Sequence, residues 1–431
     1  MREFFYEVIH NFKRAGKDFF YMLKWFVIAL LTGSFVGIVS VAFSWLDGRA
    51  NSFRAENPWI LYFLPIAGLL IIFLYHRAGV RKPGGTNKVI STLQADGSLP
   101  IRMSGLIFIS TILTHLCGGS VGREGAALQL GGSLGACSKV IPEKWLDEND
   151  KRVIIMCGMS AAFSAIFGTP VAAAIFPMEV ISIGIMQYSA LFPCFISSLV
   201  ASRFAFFLGF DSETIAILRT PTDTVKYPMM IVLMSVCVAV VSVLFVLMLK
   251  NSSKMFASVF KNQYIAIAVG GIAVVLLTLL LGTTDYNGAG MEVITRAVKG
   301  DVVWYAFIAK MIFTAISIGS GYKGGEIVPS FFIGATFGAW FASFTGIPTS
   351  IAAACGMAAM FCGVTNCPIT SLLICCELFG FNDAAYFLLA IAVSYVMSGY
   401  MSLYATQRIM YSKIKTKFIN KKVTDDYDDF D

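Results

Sequence analysis

Charge is what this sequence holds least of. Only 14% of its 431 residues are Asp, Glu, Lys or Arg, 57% are hydrophobic, and the mean hydropathy is +0.74. Soluble domains carry about a quarter charged residues, so a soluble globular class is excluded. Histidine is nearly absent, three in all, and no His, Cys or carboxylate spacing fits a metal site. No nucleophile–base pair stands out either, which argues against a membrane-embedded hydrolase, or any enzyme, and implies no cofactor. The ten cysteines sit mostly in apolar runs, as Cys117, Cys157, Cys237, Cys355 and Cys375–Cys376 do. They match neither a zinc framework nor a secreted disulfide framework and read as small buried thiols. A removable leader is also missing, because the first twenty residues lack a short apolar core with a small-residue cleavage site. The basic residues flank apolar sequence and the chain ends in the acidic TDDYDDFD, so nothing points to nucleic acid.

What the sequence does hold is long apolar runs. Trp25–Leu46, Pro58–Tyr75, Pro228–Leu249 and Tyr264–Leu281 approach or exceed the roughly 20 residues that cross a bilayer. The chain reads as an all-α polytopic membrane protein. Residues 1–22 read as an amphipathic interfacial helix, 23–210 as a first transmembrane repeat and 211–227 as a polar connection. Residues 228–400 form a second repeat, and 401–431 a short helix starting near Ser402 with a charged tail. Arg2, Lys13, Arg14 and Lys17 lead in, and Lys413, Lys415, Lys417, Lys421 and Lys422 follow the last apolar run. The positive-inside tendency puts both termini in the cytoplasm of a multi-pass protein of the cell membrane.

The second half repeats the first. Cys157-Gly158-Met159 and Cys355-Gly356-Met357 are 198 residues apart, and the same offset matches Phe163 with Phe361, Pro170 with Pro368 and Glu179 with Glu377. Gly119–Ala136 and Gly319–Ala339 match in a shifted register: glycines, a basic residue, a glutamate, then a glycine-spaced helix. Prolines start new half-length helices at Pro170 and Pro368. Paired, interrupted helices in two repeats are the mark of a transporter whose substrate passes between the halves, with an odd number of spans per half making the repeats inverted.

The stretch Gly118–Gly135, GGSVGREGAALQLGGSLG, places Arg123 and Glu124 at membrane depth. An intramembrane carboxylate is a functional residue by default. A helix opening there exposes unpaired N–H groups and a positive dipole end, which suits an anion. Four polar clusters interrupt apolar sequence: Gly84–Asn87, Gly122–Gly125, Gly324–Pro329 and the region around Tyr404. Gathered at one site, their amides and hydroxyls would replace the hydration shell of a small anion, with no cation site implied. The plainer readings are an Arg123–Glu124 salt bridge, a helix cap at Thr86 and an interfacial ring at Tyr404. Lys88 and Lys323 would raise local anion concentration or snorkel, and His115 reads as an interior hydrogen-bonded histidine or a proton relay.

GREGA (Gly122–Ala126), GGT (Gly84–Thr86), GGEIVP (Gly324–Pro329) and SLYATQ (Ser402–Gln407) resemble the anion-site segments of the CLC family of chloride channels and anion/proton antiporters. The resemblance covers nearly the whole chain. It implies the CLC-type fold of short, tilted and broken helices in two inverted repeats, a homodimer in the bilayer, and a gating glutamate at Glu124 that competes with anions and carries protons. It implies an anion site of Thr86, Asn87 and Tyr404 with the segments Gly122, Arg123, Gly125, Ala126 and Glu326, Ile327, Val328. A second proton glutamate of many chloride exchangers falls on Val180, next to Glu179. GGEIVP, with Glu326, is similar to the fluoride-type bacterial branch, which typically has threonine where this chain has Val328. Proton-coupled fluoride export is the first reading. A chloride/proton antiporter or voltage-gated-type chloride channel is the second, and a cation-coupled solute carrier a distant third.

Overall fold

In the computed structural model, residues 2–80, 84–94, 99–137, 146–210, 215–218 and 225–424 are described. Most of the 211–227 connection, the acidic tail and the side chains behind the proposed amphipathic face of residues 1–14 lie outside them.

Among the described residues, each half contributes eight helices in the same order. The first half has α1 (Arg2–Glu56), α2 (Leu64–Arg77), α3 (Gly85–Gln94), α4 (Arg102–Leu116), α5 (Glu124–Ala136), α6 (Glu148–Phe167), α7 (Pro170–Glu179) and α8 (Leu191–Phe207). The second has α9 (Lys226–Val259), α10 (Gln263–Leu281), α11 (Met291–Lys299), α12 (Ala306–Ser320), α13 (Ile327–Thr345), α14 (Thr349–Thr365), α15 (Pro368–Phe379) and α16 (Ala384–Met397). Six helical segments among the described residues are long and apolar enough to cross a membrane, and six apolar helices are shorter. The 10 residues of α7 rise about 15 Å, half a hydrocarbon core. Short helices survive there only because protein surrounds their ends.

The breaks follow local chemistry. Gly168 ends α6 at φ 69° and Asn366 ends α14 at φ 58°, each two residues before the proline that starts the next helix. Asn366 tolerates the left-handed region, and its Nδ2 is held by the Met401 carbonyl at 3.0 Å. The short helices then cap each other. Glu179 at the end of α7 accepts from the amides of Ile369 (2.9 Å) and Thr370 (2.8 Å) in the first turn of α15. Glu377 near the end of α15 accepts from Val171 (3.0 Å) and Ala172 (2.9 Å) in the first turn of α7. Both acids and both donor pairs obey the 198-residue offset, so the halves are related by a pseudo-two-fold axis between the antiparallel α7 and α15. The carboxylates complement the positive helix ends and satisfy buried donors.

Glycine sets the closest packing. A Cβ on Gly131 would strike the Gly158 carbonyl, and one on Gly334 the Gly356 carbonyl, so α5 lies backbone-to-backbone on α6 and α13 on α14.

Two expectations change. No break separates the N-terminal helix from the first span: α1 runs through residue 22 as one helix of 55 residues. Among the described residues the short C-terminal helix is absent. Residues 401–407 form a buried irregular segment, followed by β2 (Arg408–Tyr411) and β3 (Phe418–Lys422), which with β1 (Ser182–Ile183) make a three-stranded sheet. Alternating polar and apolar residues with an open edge at β1 favour strands, and Ile183, Ile409 and Val423 bury their side chains together. Between β2 and β3, Lys413 donates to Asn366 Oδ1, to the Gly399 carbonyl and to the Tyr395 carbonyl at 2.8 Å, and lies 4.3 Å over the Tyr395 ring.

Glu179→Gln and Glu377→Gln should each lower thermal stability in detergent by about 1–3 kcal/mol. An unchanged unfolding temperature in both variants would refute the capping role. Lys413→Met should make residues 401–424 at least about tenfold more sensitive to limited proteolysis, since about 2 kcal/mol of charge-assisted bonding holds them. An unchanged cleavage rate would show that the sheet alone suffices.

Candidate functional site

The N-termini of α5 and α13 meet head to head. Just ahead of them Gly122 and Gly325 form an isolated antiparallel bridge, each amide donating to the other's carbonyl at 2.6 Å. A Cβ on Gly125 would lie 2.8 Å from the Gly325 Cα, so the crossing requires glycine. The bridge corrects one expectation. The Gly122 amide is engaged by Gly325 and is not a donor for an anion. The first-turn amides that follow have no intrahelical acceptor, which leaves those of Glu124, Gly125 and Ala126 on one helix and of Ile327 and Val328 on the other.

Glu124 is the first residue of α5 and is 2% exposed. Its Oε1 lies 3.7 Å from Arg123 Nε, while Oε2 has no hydrogen-bond partner among the described residues. The salt-bridge reading is therefore weak: the contact is long, and one oxygen is left over. Arg123 also reaches Asp47 Oδ2 at 3.8 Å. Arg123 and Glu124 line one cavity, of about 280 Å³, with Ser44, Gly48 and Ser202.

A second cavity, of about 510 Å³, shares no lining residue with the first and is walled by Thr86, Asn87, Gln129, Lys323 and Glu326 among others. The Thr86 hydroxyl points to the Gly125 carbonyl at 3.3 Å, and Gln129 Nε2 donates to that carbonyl at 3.2 Å. Asn87 Oδ1 accepts from the Thr406 amide at 3.3 Å, tying α3 to the segment that carries Tyr404. Tyr404 is 1% exposed, its hydroxyl has no partner among the described residues, and its ring lies 6.5 Å from that of Phe176. Ala126, Ile327 and Val328 are buried. The sequence-selected residues are thus divided: Arg123 and Glu124 line the smaller cavity, Thr86, Asn87 and Glu326 the larger, and Thr86 and Asn87 spend polar atoms on bracing the backbone.

Sequence reasoning missed two features. Beneath the Gly118–Gly122 loop, Asp47 Oδ1 lies 2.7 Å from His115 Nδ1, His115 Nε2 lies 2.9 Å from the Val121 carbonyl, and Arg54 donates to the His115 carbonyl. His115 is thus the interior, hydrogen-bonded histidine of the plainer reading. Charges within α1 were the available signal; the apolar run Trp25–Leu46 stops one residue short of Asp47. The other feature is an aromatic cluster of Phe163, Phe176, Phe331 and Phe361, with centroids 5.1–6.0 Å apart between neighbours, against Tyr404. Its signal was the pairing of Phe163 with Phe361 across the repeat.

The family model described as voltage gated chloride channel matches residues 67–399. The chloride/fluoride channel protein of Pseudomonas syringae pv. tomato is 32% identical over 400 residues, covering 91% of this chain and 88% of that protein. A crystal structure of a CLC-type fluoride/proton antiporter superposes with a TM-score of 0.85 at 30% identity, over 90% of this chain and 99% of the other. A slow cyanobacterial Cl⁻/H⁺ antiporter shares the fold, with a TM-score of 0.75 at 18% identity over 87% and 94% of the two chains. The repeat, the paired broken helices and the crossing helix N-termini together with these matches make the assignment plain: the chain belongs to the voltage-gated chloride channel, or CLC, family.

Proposed function

We propose that this protein is a fluoride/proton antiporter with Glu124 as its gate, working as a homodimer in the cell membrane with both termini in the cytoplasm. It has no enzymatic activity in this reading. The observation that carries the proposal is a buried carboxylate with a free oxygen, at a helix N-terminus, reached from one of two separate cavities. An ionised Glu124 is itself an anion and competes with a halide for the first-turn amides of α5 and α13. Once protonated it is neutral, yields those amides and holds a proton where the halide was repelled. Exchange of proton and anion at one place couples their movement in opposite directions.

The larger cavity supplies the second carboxylate, Glu326. Glu179 cannot serve, because both its oxygens are occupied by the first turn of α15. A dehydrated fluoride needs dense donors, which the helix ends provide. The names of the relatives support a halide substrate. Chloride is the second reading, favoured by the hydroxyl of Thr86 and by Val328.

Purified protein in potassium-loaded vesicles with valinomycin should release fluoride at least about tenfold faster than chloride, read by ion-selective electrodes. Equal or reversed rates would favour the chloride reading, and no release of either would end the anion reading. Glu124→Gln should abolish proton uptake driven by fluoride efflux, read with a pH dye. Proton uptake at the parent rate would exclude Glu124 as the carrier.

A further inference from the structure

A third cavity, of about 190 Å³, takes no residue from α3, α5 or α13 and lies where α2 and α9 end and α10 begins. It adjoins the larger cavity through Tyr75, Ser253 and Lys323. His76 Nδ1 lies 3.1 Å from the Tyr264 hydroxyl, which levels the end of α2 with the start of α10. The walls are largely apolar, with Ile72, Phe256 and Phe260 among them, and no acid lines the space. Three lining side chains, those of Lys323, Ser253 and Gln263, make no hydrogen bond to a described residue. Lys323 rests its Nζ 5.2 Å over the Tyr75 ring, a contact that gives its three N–H donors no oxygen acceptor. An ammonium against an apolar wall is costly unless water or a ligand completes it. The sequence around this place has one sign: residues 57–94 and 226–284 contain no Asp or Glu, while Arg77, Lys254 and Lys261 stand within them.

We infer that this third cavity holds the phosphate of an anionic phospholipid of the cytoplasmic leaflet, with Lys323 as its counter-ion and Ser253 and Gln263 as donors to the headgroup. The inference is independent of the antiport reading. At about 190 Å³ the space falls below the roughly 300–1,000 Å³ of sites that enclose a whole small ligand, so it fits a headgroup whose tails stay outside. The tails have a surface to lie on, since Met255, Val259 and Ile265, on the same ends of α9 and α10, are exposed apolar side chains. A soluble phosphate offers the same charged group and leaves those side chains uncovered. The first turn of α10 brings a positive helix end to the mouth and the last turn of α12 a negative one, so the lysine decides the sign. The basic, acid-free segments turn this surface toward the cytoplasm, where anionic lipids gather and basic pockets between spanning helices take their headgroups. Lys323 stands two residues before Gly325, so an occupied cavity also braces the loop that enters the Gly122–Gly325 bridge.

The full-length protein, stripped of lipid in a neutral detergent, is followed by native mass spectrometry and by thermal unfolding. The added probes are phosphatidylglycerol, phosphatidylcholine, glycerol 3-phosphate and inorganic phosphate. Phosphatidylglycerol should bind about tenfold more tightly than phosphatidylcholine, as one charge-assisted contact allows, and should raise the unfolding temperature. Lys323→Met, which keeps the stem and removes the charge, should erase that preference, and Lys323→Arg should keep it. Ala257→Trp fills the space without touching the lysine and should also release the lipid, so the test stands even where Lys323→Met fails to fold. Equal binding of the two lipids by the parent protein, or a preference that survives both Lys323→Met and Ala257→Trp, would overturn the site. Stabilisation by glycerol 3-phosphate or inorganic phosphate as large as that by phosphatidylglycerol would reveal a soluble-anion site and overturn the lipid assignment. None of these measurements needs transport, so they decide the lipid site whether or not the protein moves a halide.

Discussion

Two helix N-termini pointing at each other across a membrane interior would repel, and the irregular backbone leading to them would leave donors without partners. The Gly122–Gly325 bridge resolves the second problem and exploits the first. Its paired hydrogen bonds satisfy one amide and one carbonyl on each side. What remains is a concentrated set of first-turn amides whose only natural complement is an anion. The rest of the molecule serves that meeting. Glycines let α5 lie on α6 and α13 on α14 at backbone contact, Glu179 and Glu377 cap the flanking pair α7 and α15, and Thr86 with Gln129 braces the Gly125 carbonyl.

This arrangement explains why the helices are short. A full-length span would carry its N-terminus to the membrane surface, where water would satisfy the amides and erase their pull on an ion. Halving the helix keeps the terminus at depth, at the cost of a break that must be sealed. Three seals recur in both halves: a left-handed residue at Gly168 or Asn366, a proline at Pro170 or Pro368, and a carboxylate from the other half. Because each half supplies the carboxylate of the other, neither seal exists in an isolated half. The sequence repeat is thus a folding constraint as well as a trace of origin.

Much of this was legible in the residues. The 198-residue offset, the prolines and the reciprocal glutamates mark the repeat, and charge at membrane depth marks Glu124, because both signals are local and energetically expensive. What was not legible depends on partners far apart in the chain. Whether the Gly122 amide faces an ion or Gly325 is a matter of where the second half lies, 203 residues on. The Thr86 hydroxyl likewise turns toward a carbonyl that only the folded chain brings near. The C-terminal strands were misread as a helix because the sheet they complete begins at β1, which pairs with β2, is two residues long and lies over 200 residues upstream. Asp47 and Arg54 lie within a helix that continues past its apolar core, so they looked like the end of a span when they are the floor under the Gly118–Gly122 loop.

Symmetry builds the site, and its departures from symmetry set its two acids in different surroundings. In the register of the bridge Gly122 stands opposite Gly325, so Arg123 corresponds to Glu326, Glu124 to Ile327 and Gly125 to Val328. Each half has one acid at its helix start, displaced by one position. On a helix a single step turns a side chain by about 100°. The two carboxylates accordingly do not face one another across the axis: one lines the smaller cavity and the other the larger. A strictly symmetric pair would stand in equivalent surroundings. The displaced pair does not: an arginine lies beside one acid and lysines around the other, so the two cavities differ in electrostatics on a backbone that is nearly the same in both halves.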